Sequence, residues 1–188
     1  MSVRPVMSPG LSRLALLCVL LCGNGLLSGC VTQPLPRYQI SLENQTALAS
    51  LPPAVRYSTS SVNAPLQAEA SVRSYSAMTP ERGWSGFLQD GLTKELTSAQ
   101  HYADASDRNI EVTVQTLKLR DGVADLQARF VVRKSGVTTY DKVLAVQTQW
   151  SSSFLGVLAV QDAVSQFGAV FQQLQRKFFA DPDFIRQS

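Results

Sequence analysis

Histidine and cysteine are scarce in this sequence, which has one His and three Cys among 188 residues. His101 stands alone, and Cys18, Cys22 and Cys30 all lie near the amino terminus. A structural zinc site takes four ligands from cysteine, histidine or carboxylate. Neither a metal centre nor, beyond position 30, a disulfide framework is therefore expected. A G-x-S-x-G elbow and a glycine-rich phosphate loop are also missing, and no cofactor is expected. Acidic residues are absent from Met1 to Gly29, where Arg4 and Arg13 are the charged side chains. Strong net charge is lacking as well: 17 basic against 14 acidic residues give +3, with no nucleic-acid footprint. No apolar run approaches the roughly 20 residues a transmembrane helix needs. The leading candidate, Leu14 to Cys22, is closed off by Gly23, Asn24 and Gly25.

What is present at the amino terminus is a pattern. A basic start, a short apolar core and small residues before a cut site make an export signal, because the positive end stays behind while the core enters the translocon. It ends in Leu27-Ser28-Gly29-Cys30, which resembles a lipobox, the site at which bacterial lipoproteins are cut and acylated. The resemblance implies cleavage between Gly29 and Cys30 and a diacylglycerol on the Cys30 thiol, often with a further acyl chain on the freed amine. Cys18 and Cys22 would leave with the leader, and the loss of Arg4 and Arg13 brings the chain close to neutrality. One acyl chain anchors only marginally, at roughly 0.8 kcal/mol per buried methylene, whereas two or more hold firmly. Val31 rather than Asp after the cysteine resembles the enterobacterial pattern for the outer membrane, so the expected location is its periplasmic face.

The domain reading that follows is 1–29 leader, 30–54 lipidated cysteine and tether, and 55–188 folded domain. Pro34, Pro36, Pro52 and Pro53 argue for the tether, which could reach roughly 80 Å if extended. Within it, the alternation of Tyr38 to Leu42 is compatible with an edge strand. Val55 to Ser60 and Ala70 to Tyr75 are β-favouring pieces. Thr79-Pro80-Glu81 reads as a helix start, with a capping hydroxyl, proline at the first helical position and an early acid. Trp84, Phe87, Leu88, Leu92, Leu96 and Ala99 then recur at helical spacing.

Three strands come next. Ile110, Val112 and Val114 alternate before the phase slips to Leu117 and Leu119, the signature of a bulge. Asp121-Gly122 and Ser135-Gly136 are turn signals. Ala124 to Val132 and Leu144 to Trp150 alternate apolar with polar, and such short connections make the three strands antiparallel neighbours. Ser151, Ser152 and Ser153 offer capping hydroxyls to a second helix, whose broad stripe runs from Val160 through Phe167, Phe171 and Leu174 to Phe178. Asp181-Pro182 ends it. The expected class is α+β, in two layers: an antiparallel sheet with two amphipathic helices on one face.

Candidate chemistry is sparse. His101 reads as an exposed loop histidine rather than a general base, since no cysteine nucleophile remains for it. Asp90, Glu95, Asp104 and Asp107 could supply the carboxylate pair of a cell-wall hydrolase, but solvated helix and loop acids account for them better. Gly83, Gly86 and Gly91 fall in a helix pattern, where they allow close packing. Tyr75, Trp84, Phe154 and Phe167 form a candidate groove for a partner or acyl chains, with core filling as the plainer account. The expectation is a non-enzymatic adaptor with an envelope protein partner; the rivals are a lipid-binding module and an activator of cell-wall synthesis.

One family resemblance rests on the order of these parts. Arg37-Tyr38-Gln39-Ile40 shortly after the cysteine, Tyr75, the helix from Trp84 to Leu96, the strands and the closing amphipathic helix together resemble the auxiliary lipoprotein components of ABC-type intermembrane transport systems. Those accompany paraquat-inducible and MCE-type lipid transporters. The resemblance implies a role in envelope lipid transport and a fold similar to the amino-terminal domain of TolB. Ile40 stands where that family has leucine, and Phe179 to Phe184 is an added tail.

Overall fold

A computed structural model describes residues 37–65, 67–70, 80–120, 122–149 and 156–188, with side chains described except at 67–70, 119–120 and 156–167. The leader with Gly29 and Cys30, the aromatic residues Tyr75 and Phe154, the serines at 151–153 and the side chain of Phe167 thus lie outside the described residues. A compact unit runs from Pro34 to Ser188.

In chain order the elements are α1 (Leu42–Leu48), β1 (Ser58–Ser61), β2 (Gln67–Ala70), α2 (Gly83–Ser98), β3 (Arg108–Arg120), β4 (Val123–Lys134), β5 (Val137–Gln149), α3 (Gly156–Phe179) and α4 (Pro182–Arg186). The chain is α+β, as its patterning indicates. β3, β4 and β5 form the antiparallel meander, and the register shift between Val114 and Thr116 is the bulge at the phase slip. Ser135 and Gly136 both have positive φ, 49° and 83°. That pair is what a two-residue hairpin turn needs if its twist is to match the strands it joins.

The sheet departs from the all-antiparallel expectation at one edge. β1 and β2 both run parallel to β3, β1 beside Asn109 to Val112 and β2 beside Thr116 to Leu119. Parallel neighbours need a long crossover, and α2 supplies it between β2 and β3. β1 overlaps the first β-favouring piece, Val55 to Ser60, while of the second, Ala70 to Tyr75, only Ala70 lies among the described residues, in β2.

Alternation along β3 and β4 turns Ile110, Val112, Val114, Leu126, Ala128 and Phe130 to one face, all buried. On that face α2 contributes Leu88, Leu92 and Leu96, and α3 contributes Val170, Phe171, Leu174 and Phe178. Phe130 stacks on Phe178 at 4.5 Å between ring centroids. The other face is polar: Arg129 pairs with Asp141, and Arg133 with Glu111 at 3.0 Å.

α2 starts three residues later than the Thr79-Pro80-Glu81 signal. Pro80 instead accepts from Gly83 N–H in a turn at 2.8 Å, and Gly83 has φ +68°. A helix cannot run on through a left-handed residue, so α2 begins at Gly83 rather than at Pro80. A Cβ there would also lie 2.8 Å from Asn63 Oδ1, which makes this a close approach as well as a turn.

Residues 38–54 differ most from expectation. Tyr38, Leu48 and Leu51 are buried core residues, and the stretch holds a helix, α1, where an edge strand or tether was expected. The alternation of Tyr38 and Ile40 is not strand alternation, because Tyr38 is turned inward to a polar site and Ile40 remains exposed. Beyond α3 the added tail also joins the core. Asp181 caps α4 by accepting from Asp183 N–H at 2.9 Å, and Phe184 packs 4.3 Å from Phe178 between centroids.

Candidate functional site

The most unusual chemistry in the described residues is a carboxylate inside the helix layer. Glu95 is fully buried on α2. It lies at i+7 from Leu88, on the apolar stripe rather than among solvated acids, which corrects the expectation for this residue. Burying a charge is costly unless hydrogen bonds satisfy it, and here they come from the segment before and within α1. Glu95 Oε1 accepts from Tyr38 Oη at 2.7 Å, Ser41 N–H at 2.9 Å and Asn44 Nδ2 at 3.0 Å. Glu95 Oε2 accepts from Gln45 Nε2 at 2.5 Å.

Tyr38 is the centre of this group. Burial, then the nearby Glu95 charge and the bond to it, push its hydroxyl well above the ordinary phenol range, so it remains a donor. It also lies 3.0 Å from the side-chain amide of Gln175, a fully buried residue of α3. A phenol has one proton to give. The atom that faces the phenol at that distance is Gln175 Oε1, and Gln175 Nε2 is buried with no hydrogen-bond partner among the described residues.

Space for the ring comes from Gly91. A Cβ at that position would stand 2.6 Å from the Gln175 amide and 2.9 Å from Tyr38 Cδ2. This is the close packing expected of that glycine. Around the rim, Asn44 Nδ2 donates to Gln172 O at 3.3 Å and Gln172 Nε2 to Gln39 O at 2.8 Å. Arg176 pairs with Glu43 at 2.7 Å. The segment from Gln39 to Gln45 is thereby bonded to both α2 and α3.

Glu95 offers no surface to a substrate, and its oxygens are filled by donors. Asp90, the other carboxylate weighed for hydrolysis, is exposed and ion-paired with Arg82 at 2.6 Å. Asp104 accepts from Tyr102 Oη at 2.5 Å, and Asp107 sits 3.7 Å from Arg108. These acids are not gathered at one site.

His101 is buried, contrary to the exposed loop position expected for it. Its Nδ1 lies 2.9 Å from Val55 O. Gln100 with φ +62° ends α2, with Gln100 N–H bonded to Thr97 O at 3.1 Å and His101 N–H to Leu96 O at 2.7 Å. That is a Schellman motif, and it folds the next residue back onto the domain. Of the candidate groove residues, Trp84 is half-buried and packs against the core, stacked on Phe171 at 6.2 Å and edge-on to Phe87 at 6.4 Å. On the outer sheet face a shallow depression of about 380 Å³ is lined mainly by polar side chains, among them Lys118, Asp125, Gln127 and Gln147. Among the described residues no group of His, Cys, Asp and Glu could hold a metal ion.

Sequence reasoning missed Asn44 and Gln175 and placed Tyr38 in the tether. The signal lay in the helix stripes. Glu95 repeats the position of Leu88, and Gln175 falls four residues after Phe171 and three before Phe178 on the buried stripe of α3.

No family model and no curated protein matches this chain. Solved structures do. A Xanthomonas campestris protein of the DUF330 family is similar over 77% of this chain and 88% of its own, at 13% identity and a TM-score of 0.45. A minor lipoprotein from Acinetobacter baumannii is similar over 70% of this chain and 95% of its own, at 17% identity and a TM-score of 0.41.

Proposed function

We propose that this chain is a lipid-anchored envelope adaptor, held by acyl chains on Cys30 to the periplasmic face of the outer membrane. Its domain serves as a non-enzymatic auxiliary subunit of a transport machine, with lipid the cargo class that the family resemblance implies. The observation that carries the reading is Leu27-Ser28-Gly29-Cys30 at the end of a basic and apolar leader.

The geometry supports an anchor that is mechanically coupled to the domain. Tyr38 follows Cys30 by eight positions and is locked to Glu95, so the free span is short, at most about 30 Å when extended. This replaces the long reach of a tether running to residue 54. An adaptor so held works close to the membrane surface. Its polar sheet face, opposite the helix layer, is the surface it offers to a protein partner.

Labelled palmitate fed to expressing cells tests the anchor: the label joins the wild-type protein and not Cys30→Ser, which leaves the membrane fraction. Crosslinking in intact envelopes tests the role: a transport component is recovered with the acylated protein. An unlabelled wild-type protein, or Cys30→Ser sedimenting with membranes like its parent, overturns the anchor. Recovery of peptidoglycan synthases alone overturns the transport assignment.

A further inference from the structure

Two apolar side chains stand out on the segment that follows the anchor. Leu42, at the first position of α1, is 83% exposed, and Ile40 two residues before it is 49% exposed. Tyr38 between them and Cys30 points the other way, into the Glu95 site. Single exposed apolar residues are ordinary on protein surfaces. What sets these two apart is charge and position.

Arg37 and Lys94 are both exposed beside them, and Lys94 Nζ reaches the carbonyl of Tyr38 at 3.3 Å. Nearby acids are already neutralised, Glu43 by Arg176 and Asp90 by Arg82. The patch therefore combines two apolar side chains with two cations that have no carboxylate partner among the described residues. That combination suits the interface of an anionic lipid bilayer, where apolar groups enter the acyl boundary and cations meet the headgroups. The length of chain back to Cys30 places the patch within about 40 Å of the acyl chains.

We infer that Ile40 and Leu42, flanked by Arg37 and Lys94, form a membrane-contacting surface that seats the domain on an anionic lipid surface. This inference rests on acylation of Cys30. It fixes an orientation, because α1 contacts α2 and α3 on the helix side of the domain. The helix layer then faces the bilayer, and the face of the sheet bearing Arg129, Arg133 and the 46% exposed Val143 faces away.

The test uses the full acylated protein in vesicles of phosphatidylglycerol and phosphatidylethanolamine. Acylated Cys30 has no free thiol, and Cys18 and Cys22 depart with the leader. Leu42→Cys and Val143→Cys therefore each carry one labelling site for an environment-sensitive fluorophore. The label at 42 is expected to shift to the blue and to be quenched by lipid-borne quenchers, while the label at 143 does neither. Reversing charge with Arg37→Glu and Lys94→Glu together, or omitting phosphatidylglycerol, weakens the quenching at 42.

Acylated protein with the label at 42 in water like that at 143 overturns the surface alone. A shielded label at 42 that lipid quenchers do not reach means that a second copy or a protein covers the patch, and also overturns it. The mass of the mature chain reports acylation separately, and a chain without acyl groups overturns the anchor and the surface together.

Discussion

Tyr38 Oη donates to Glu95 Oε1 at 2.7 Å across 57 positions of sequence, and that contact turns an apparent linker into part of the domain. A buried carboxylate with four separate donors is stable only while the donors stay in place. Losing one leaves acceptor capacity desolvated and unfilled.

Tyr38→Phe is expected to destabilise the fold by about 1–3 kcal/mol, the usual cost of an unpaired buried polar group. Glu95→Ala leaves the hydroxyl and the Ser41 N–H without their acceptor and takes one acceptor from each of the two amides, and is expected to cost more, about 2–5 kcal/mol, at about 1–3 for each unfilled buried donor. Urea denaturation followed by circular dichroism measures both. Equal stability of Tyr38→Phe and wild type would sink the structural role given to the phenol.

Two glycines on facing helices are expected to respond in opposite directions. Gly91→Ala puts a Cβ 2.6 Å from the Gln175 amide and 2.9 Å from the Tyr38 ring. Overpacking of this kind costs about 1–3 kcal/mol. Among the described residues nothing lies within 4 Å of the would-be Cβ of Gly168 on α3. Gly168→Ala is expected to stabilise by about 0.5–1 kcal/mol, since alanine favours the helix. Thermal unfolding of the two variants decides the matter by its sign.

Gln100 holds a left-handed conformation at φ +62° to close α2. Gln100→Gly relieves that strain and is expected to raise stability by up to about 1 kcal/mol, because the position needs positive φ and the side chain is exposed. A melting temperature below that of wild type would contradict the Schellman ending and the inward turn of His101.

Acid is expected to loosen the carboxyl-terminal helix. Desolvation raises the Asp181 pKa, but Lys142 at 2.9 Å, Asp183 N–H and Tyr140 together outweigh it and hold the carboxyl below its ordinary range. Hydrogen bonds from Lys142 and Arg186 lower Asp183 likewise. Groups with depressed folded values stabilise above the ordinary aspartate pKa of about 3.9 and lose that contribution as pH falls through the folded value. Stability measured from pH 6 downward is therefore expected to fall below about pH 4, and Asp181→Asn is expected to flatten that fall. The same slope in the variant would show that this cluster does not set the acid limb.

By itself the sequence determined the elements whose cause is local. Alternation located β3, β4 and β5, positive-φ turn residues set the Ser135-Gly136 hairpin, and a phase slip marked the bulge by Val114. Helical spacing found the stripe of Leu88, Leu92 and Leu96, because burial on one side repeats every turn. Tertiary structure alone decided what the polar residues do. Glu95, Asn44 and Gln175 look solvated when each is read beside its neighbours in sequence, and Tyr38 sits among prolines and polar residues that suggest a linker. Their meaning comes from partners 57 and 137 positions away. A carboxylate becomes a core residue only when distant donors replace its water, and no local pattern records where those donors will be.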